Sequence, residues 1–398
     1  MRIHPAMAAT EAPPVMEARR WISGISFPAD RPLLNVSQAA PVAPPPQALR
    51  EAIARFAVDV PQAHLYGPVL GLGDLREQVA ADWSDAYGGS VDAVDVAITS
   101  GCNQAFAAAI STLAGTGDEV LLPKPWYFNH KMWLDMAGIQ AVPMPCGAGM
   151  LPDPEVAAGL ITDKTRAIVL VTPNNPTGAE YPASLVRAFF ELCRARGIAL
   201  IVDETYRDFH SRKGAPHDLL TCRDWRDTLI QLYSFSKAYR LTGHRVGAIV
   251  TSPARLAEVE KFLDTVAICA NQLGQMAALW SMQNLKQWLG GERAEILARR
   301  AAVEREMSTL SGWEVLGAGA YFAYLKHPYP MASDALAKHL VSEASVLALP
   351  GTMFTPLGDA LGLQSLRIAF ANIDTAEISE LARRLGSLTL SGQVLHGL

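Results

Sequence analysis

Short apolar runs alternate with helical segments from about residue 97 to residue 251, and this alternation constrains the fold more than any other feature. Such a pattern is typical of β-α-β units, whose strands run parallel and are connected by helices. Several of the runs are apolar throughout, as expected for strands that helices cover on both faces. The pattern predicts an α/β fold with a mostly parallel sheet and the strands Val96–Thr99, Glu119–Leu122, Ala167–Val171, Ala199–Val202, Leu229–Tyr233 and Gly247–Val250.

The length of the chain suggests more than one domain. Its 398 residues, half of them hydrophobic, suffice for two or three domains. We expect a large domain at 47–290 and a smaller α/β domain that combines residues 291–398 with the N-terminal segment 1–46. Residues 1–20 are expected to form an irregular arm. Gly290-Gly291 is expected to break the chain before a helix over Glu292–Leu310.

Charge and cysteine content exclude several classes of protein. The net charge is −5 with no block of like charge, which disfavours nucleic acid and anionic membranes as partners. No apolar run approaches the length of a membrane-spanning helix. The five cysteines are scattered and form no metal-ligand spacing, which favours a reducing compartment and no bound metal. These features predict a cytoplasmic protein.

Lys237 is the strongest candidate for a functional residue. It lies in Ser234-Phe-Ser-Lys237, directly after a predicted strand, and Arg245 follows eight residues later. A lysine amine can form a Schiff base with an aldehyde, while the hydroxyls of Ser234 and Ser236 and the arginine could hold a phosphate. Pyridoxal 5′-phosphate (PLP) is a phosphorylated aldehyde whose usual protein partners are a lysine and a carboxylate. The run therefore predicts a PLP site; a solvated surface lysine is the alternative.

Two further loops follow strands of the same predicted sheet. In parallel α/β sheets, ligands bind outside the carboxyl ends of the strands. Asp203 ends the strand Ala199–Val202, and a buried carboxylate there requires a partner such as a protonated pyridine nitrogen. A helix N-cap is the alternative role for Asp203. The loop from Thr172 to Gly178 presents Asn174 and Asn175 to the same edge.

Five other positions complete the predicted site. Gly101, Cys102 and Asn103 open a helix after a strand, and backbone N–H groups at such an N-terminus bind anions, here the cofactor phosphate. Tyr127 could stack on the cofactor ring or pack in the core. Arg367 lies within an apolar strand, where a guanidinium needs a bidentate anion such as a substrate carboxylate; a structural salt bridge is the alternative.

Together these motifs resemble the class I/II, fold-type I PLP-dependent aminotransferase family. The motifs are Asn175-Pro-Thr-Gly178, Asp203-Glu-Thr-Tyr206, Ser234-Phe-Ser-Lys237 with Arg245, and Ser365-Leu-Arg367. The resemblance extends over nearly the whole chain, beginning at Tyr66. It implies a large PLP-binding domain and a smaller domain built from both chain ends.

The resemblance also implies roles for individual residues. Lys237 would carry PLP, Asp203 would pair with the ring nitrogen, and Arg367 would bind the substrate α-carboxylate. Asn175 and Tyr206 would bond the phenolic oxygen of the ring, with Tyr206 among the catalytic residues and Asn175 also near the substrate. Tyr66 would reach the phosphate of a neighbouring subunit, which implies a homodimer with shared active sites.

The activity implied is transfer of an amino group between an L-amino acid and a 2-oxo acid by a ping-pong mechanism. A β-eliminating C–S lyase on the same fold would share every one of these residues. A PLP-binding regulatory protein would need a DNA-binding module, but only about 46 residues precede the large domain.

Two departures from the family leave the substrate open. Arg240 stands where the family usually has a small residue, and we expect it near the phosphate or the mouth of the site rather than on the open surface. The segment Asn35–Pro41 lacks the glycine that usually precedes this proline. Neither departure affects the residues predicted to hold the cofactor.

Overall fold

The structure is a computed structural model that describes residues 1–388 as an α/β protein. The helices are α1 Pro5–Ala9, α2 Pro14–Trp21, α3 Gln47–Asp59, α4 Gly73–Tyr87, α5 Cys102–Ser111, α6 Phe128–Met136, α7 Pro154–Leu160, α8 Ala183–Arg196, α9 Trp225–Thr228, α10 Phe235–Ala238, α11 Pro253–Ala267, α12 Gln272–Asn284, α13 Lys286–Met307, α14 Ser333–Ala344, α15 Ala360–Leu363 and α16 Thr375–Gly386. The strands are β1 Leu34–Asn35, β2 Val96–Thr99, β3 Glu119–Lys124, β4 Gln140–Pro145, β5 Thr165–Val171, β6 Ala199–Asp203, β7 Leu229–Ser234, β8 Gly247–Val250, β9 Glu314–Gly319, β10 Phe322–Lys326, β11 Val346–Leu347, β12 Leu349–Pro350 and β13 Ser365–Ala369.

A seven-stranded sheet of order β2-β8-β7-β6-β5-β3-β4 forms the centre of the molecule. All six strands predicted from the apolar runs belong to it. The neighbours from β7 to β4 pair in parallel, whereas β8 is antiparallel to both β2 and β7. The sheet is therefore mixed and mostly parallel, which confirms the predicted fold class.

Helices cover this sheet on both faces. Successive side chains of a strand point to opposite faces, so an apolar run supplies two cores at once. In β6, Leu200 and Val202 belong to one buried cluster and Ile201 belongs to another. This double coverage explains why the strand sequences are apolar throughout instead of alternating.

A second sheet contains the C-terminal strands in the antiparallel order β12-β13-β10-β9. The N-terminal segment joins this part of the molecule, because β1 pairs in parallel with β11 through Leu34 and Val346. Arg367 lies in the middle of β13, opposite Tyr324 of β10. The pairing brings residues 34–40 close to the strand that carries Arg367.

Two predictions about secondary structure are wrong, and one strand of the central sheet was missed. Strand β4 was not predicted, because its sequence contains Pro143 and Pro145; prolines are tolerated there since β4 is an edge strand. Helix α13 runs without a break through Gly290-Gly291, at a cost of about 1 kcal/mol for each glycine relative to alanine. The N-terminal arm is not irregular, because it contains α1 and α2. Helix α2 begins with Pro14, a residue favoured in the first turn.

Within residues 1–388, no helix combines the length and the apolar character needed to cross a membrane.

Candidate active site

A cavity of about 410 Å³ opens at the carboxyl ends of β5, β6 and β7. Its wall includes the last residue of each strand, Val171, Asp203 and Ser234. Eleven of the residues predicted for the site line it, namely Cys102, Asn103, Tyr127, Asn175, Asp203, Tyr206, Ser234, Ser236, Lys237, Arg245 and Arg367. The remaining two are Gly101, which packs against Arg245, and Tyr66, which lies elsewhere.

Lys237 projects into this cavity from the short helix α10. Ser234 caps the helix by accepting a hydrogen bond from the Ser236 amide at 3.3 Å. Burial, with contributions from the charges of Arg245 and Arg367, lowers the pKa of Lys237 to about 8. Its Nζ donates a hydrogen bond to the carbonyl of Ala39 at 2.8 Å. About a tenth of this amine is therefore neutral, and nucleophilic, at pH 7, far more than for an ordinary lysine.

Asp203 is buried at the end of β6 and remains ionised. Its Oδ1 accepts the Thr205 amide at 3.0 Å, and its Oδ2 lies 3.2 Å from Nε2 of His130. Burial alone would raise the pKa of Asp203, but His130 and Thr205 lower it below the ordinary value. The carboxylate thus carries a negative charge inside the cavity.

His130 was not singled out from the sequence. It stacks on Phe106 at 3.9 Å between ring centroids and meets Tyr127 edge-on at 4.9 Å. The spacing of Tyr127 and His130, three residues apart at the start of α6, places both on one helix face and could have identified it. His130 lies beside Asp203 and favours its ionised form, as a positioning residue.

The opposite end of the cavity is a cationic cradle. Arg245 donates to Oγ of Ser236 at 3.3 Å and to the carbonyl of Thr242 at 3.1 Å. Gly101 precedes α5 with a φ of 89°, and a Cβ there would lie 2.2 Å from Nη2 of Arg245. The first amides of α5 have no carbonyl one turn earlier to accept them. The guanidinium, the hydroxyl and these amides are donors suited to a phosphate.

Arg367 is a buried cation without a carboxylate partner among the described residues. It is 2% exposed, and its Nη1 donates to Oδ1 of Asn175 at 3.1 Å while Nη2 donates to the carbonyl of Ser37. Its Nε has no partner within residues 1–388. Burial lowers the pKa of Arg367 to about 10, so it stays charged at neutral pH. A buried guanidinium with only neutral partners favours binding of an anion from outside the chain.

The two asparagines of the β5 loop have different roles. Asn174 fixes the loop itself, accepting the Thr177 amide at 3.0 Å and donating to Tyr181 at 3.2 Å. Asn175 instead lines the cavity beside Arg367. Tyr206, also on the wall, packs edge-on against Phe322. Asn175 and Tyr206 thus reach the cavity, while Asn174 does not.

Arg240 lies away from the cavity, contrary to expectation. Its guanidinium binds the carboxylate of Glu292 at 2.7 Å and lies over the ring of Trp288. The backbone at Arg240 has a φ of 56°, a left-handed conformation, whereas Thr242 and Arg245 farther along the chain line the cavity again. The expectation that Arg240 lies near the phosphate or the mouth of the site is wrong.

Tyr66 is 80% exposed and does not contact the cavity of its own subunit. The neighbouring Leu65 is 63% exposed. Gly67 lies against Cys269, which brings this exposed stretch close to Val266 and Ile268, two further exposed apolar residues. The surface around Tyr66 is therefore an apolar patch.

Comparison with known proteins identifies the family to which this chain is similar. The family model described as "Aminotransferase class I and II" matches residues 31–385. An "Aromatic aminotransferase ISS1" from Arabidopsis thaliana is 26% identical over 387 residues, covering 94% of this chain and 93% of its own. An "Arginine--pyruvate transaminase AruH" from Pseudomonas aeruginosa is 30% identical over 321 residues, covering 77% and 81%. The crystal structure of an aminotransferase from Mycobacterium tuberculosis superposes with a TM-score of 0.87 at 26% identity, covering 97% and 98%.

Proposed function

The chain belongs to the class I and II aminotransferase family, and we propose that it transfers amino groups with PLP held by Lys237. One observation carries this proposal. A lysine with a pKa of about 8, an ionised Asp203 and a buried Arg367 that lacks a carboxylate partner among residues 1–388 face one cavity. These are the three groups that the chemistry needs: an amine for an aldehyde, an anion for a pyridinium, and a cation for a carboxylate.

The residues at the two ends of the cavity fit PLP. The cradle of Gly101, Ser236 and Arg245 suits its phosphate, since a Cβ at Gly101 would occupy the space of the guanidinium. Asp203, held by His130, would face the ring nitrogen. Asn175 and Tyr206 would bond the phenolic oxygen, and Tyr127 would cover the ring. When bound, PLP supplies an electron sink for the carbanion formed at the substrate Cα.

Lys237 would act as both the attachment point and the base. Its Nζ, held at the Ala39 carbonyl, can take the Cα proton because burial and two nearby arginines lower its pKa to about 8. Asp203 stays negative and would keep a facing pyridine nitrogen protonated. The surroundings of each group explain its role. Burial and two arginines lower the pKa of Lys237, and His130 helps to keep Asp203 ionised.

Arg367 would bind the α-carboxylate of every substrate. Its Nε lacks a partner within residues 1–388, and the two hydrogen bonds that it makes go to neutral oxygens. A substrate carboxylate would add a charge-assisted pair in a site shielded by Phe322 and Phe354. Binding there would orient the substrate relative to Lys237.

We further propose a homodimer in which Tyr66 reaches the phosphate cradle of the partner. The exposure of Tyr66 and the apolar patch around it support this assembly, because a second copy would cover them. The five cysteines are all free, which supports a cytoplasmic location.

The proposed activity is tested by offering the PLP-loaded protein one amino acid at a time without an acceptor. We expect one equivalent of 2-oxo acid for each active site, then no further product until a 2-oxo acid is added. This stoichiometry is the consequence of a ping-pong reaction. Continuous release of ammonia and pyruvate without an acceptor would instead identify a lyase.

A further inference from the structure

The mouth of the cavity is formed by the N-terminal part of the chain. Helix α2 and the residue before it contribute Pro13, Val15, Met16 and Arg19 to the wall, and the segment after β1 contributes Gln38. These residues lie apart from the groups at the strand ends that would hold the cofactor. They are therefore suited to meet the variable part of a substrate, its side chain.

Gln38 lies between the two groups that would hold the substrate. The carbonyl of Ser37, on one side, accepts a hydrogen bond from Arg367, and the carbonyl of Ala39, on the other, accepts Nζ of Lys237 at 2.8 Å. A substrate bound by its carboxylate at Arg367 and reacting at Lys237 would lie along this segment. Its side chain would then extend past Gln38 toward α2.

Arg19 is the charged residue at that place. Its Nη2 donates to Oε1 of Gln38 at 2.7 Å, and no carboxylate within residues 1–388 lies at ion-pair distance from it. The next residue on the helix, Arg20, is by contrast paired with Glu17 at 2.7 Å and does not line the cavity. A neutral amide thus orients the Arg19 guanidinium while leaving its charge uncompensated.

The other cations of the cavity already have partners or roles. Within the described part of the chain, the cationic side chains on its wall are Arg19, Lys237, Arg245 and Arg367. Under the proposed function the last three bind the aldehyde, the phosphate and the α-carboxylate. Arg240, which was expected near the phosphate or the mouth of the site, is paired with Glu292 and does not line the cavity.

We propose that Arg19, oriented by Gln38, binds the distal carboxylate of a dicarboxylic amino acid or 2-oxo acid. This inference rests on the proposed function and names its substrate class. The distal carboxylate would form a charge-assisted pair with the Arg19 guanidinium. Such a pair is stronger than the hydrogen bond that Arg19 makes to the neutral amide of Gln38. Arg19 is exposed at the mouth, so solvent and salt reduce the strength of this pair. Val15 and Met16 would contact the methylene groups between the two carboxylates.

The test compares Arg19→Met with the matched control Arg20→Met in the PLP-loaded protein. The measured quantity is kcat/KM for 2-oxoglutarate divided by kcat/KM for pyruvate, with one common amino donor. We expect this ratio to fall about 2- to 5-fold in Arg19→Met, the worth of a solvent-exposed ion pair, and to stay unchanged in Arg20→Met. Arg19→Lys keeps the charge and should restore part of the preference.

A binding measurement accompanies the kinetics. Calorimetry with glutarate, which has two carboxylates, should show weaker binding to Arg19→Met, whereas binding of butyrate, which has one, should be equal in both proteins. An unchanged ratio in Arg19→Met, an equal fall in Arg20→Met, or an equal loss for both acceptors would overturn the proposal. Wild-type protein that transfers no amino group would refute the proposed function instead, and glutarate binding would still test Arg19.

Discussion

Replacing Gly101 with alanine is expected to weaken PLP binding about 10- to 150-fold, because the new methyl group would displace the Arg245 guanidinium. A Cβ at Gly101 would lie 2.2 Å from Nη2 and 2.9 Å from Cζ of Arg245. Cβ atoms essentially never approach other heavy atoms this closely. The guanidinium of Arg245 must therefore move out of the cradle. Hydrogen bonds to a charged group contribute about 1.5–3 kcal/mol, which corresponds to the stated range of affinity.

Gly117 provides a matched control for this substitution. It has a φ of 90°, against 89° for Gly101, but no atom lies within 4 Å of the position of its Cβ. Both alanine variants should lose unfolding free energy, on the order of 1–3 kcal/mol, because both positions have a positive φ that alanine rarely adopts. Only Gly101→Ala should also lose affinity for the cofactor.

The assay titrates the cofactor-free protein with PLP and, separately, with pyridoxal, which lacks the phosphate. The dissociation constant for PLP should rise in Gly101→Ala, while that for pyridoxal should change little. Wild-type affinity for PLP in Gly101→Ala would refute the assignment of the cradle to the phosphate. Equal weakening of PLP and pyridoxal, or equal weakening in Gly117→Ala, would refute it as well.

Three further outcomes are expected. Asp203→Asn should still bind PLP but lose about 10²–10³-fold in kcat, since the ring nitrogen loses its anionic partner; a near-normal kcat would return Asp203 to a structural role. The rate of PLP uptake by the cofactor-free protein should rise with pH and level off above about pH 8, as Lys237 becomes neutral; a rise that continues toward pH 10 would show an ordinary lysine. Mixed dimers of Lys237→Ala and Tyr66→Phe subunits should regain activity in one of two sites, whereas no gain would refute a role for Tyr66 at the partner's site.

The sequence predicted the strands around the site because each is a short apolar run bounded by polar residues. Since the carboxyl ends of parallel strands meet at one edge, Asp203, Asn175 and Lys237 were expected together, and all three line one cavity. Their chemical roles stay predictions.

Other parts of the site depend on contacts between distant residues, which no local pattern reports. Arg19 reaches the cavity because β1 pairs with β11 and brings the N-terminal segment beside Arg367. His130 became evident only from its position 3.2 Å from Asp203, a contact between residues that are distant in the sequence. Arg240 has the spacing of a site residue, but its left-handed backbone turns it toward Glu292, which follows 52 residues later.

The central claim, that Lys237 binds the cofactor, is tested most directly by borohydride reduction of the PLP-loaded protein followed by peptide mapping. Reduction fixes the bond between an aldehyde and an amine, so the labelled peptide identifies the lysine. We expect the pyridoxyl group on Lys237 and no labelled peptide from Lys237→Ala. A label on any other lysine in wild-type protein would contradict the account.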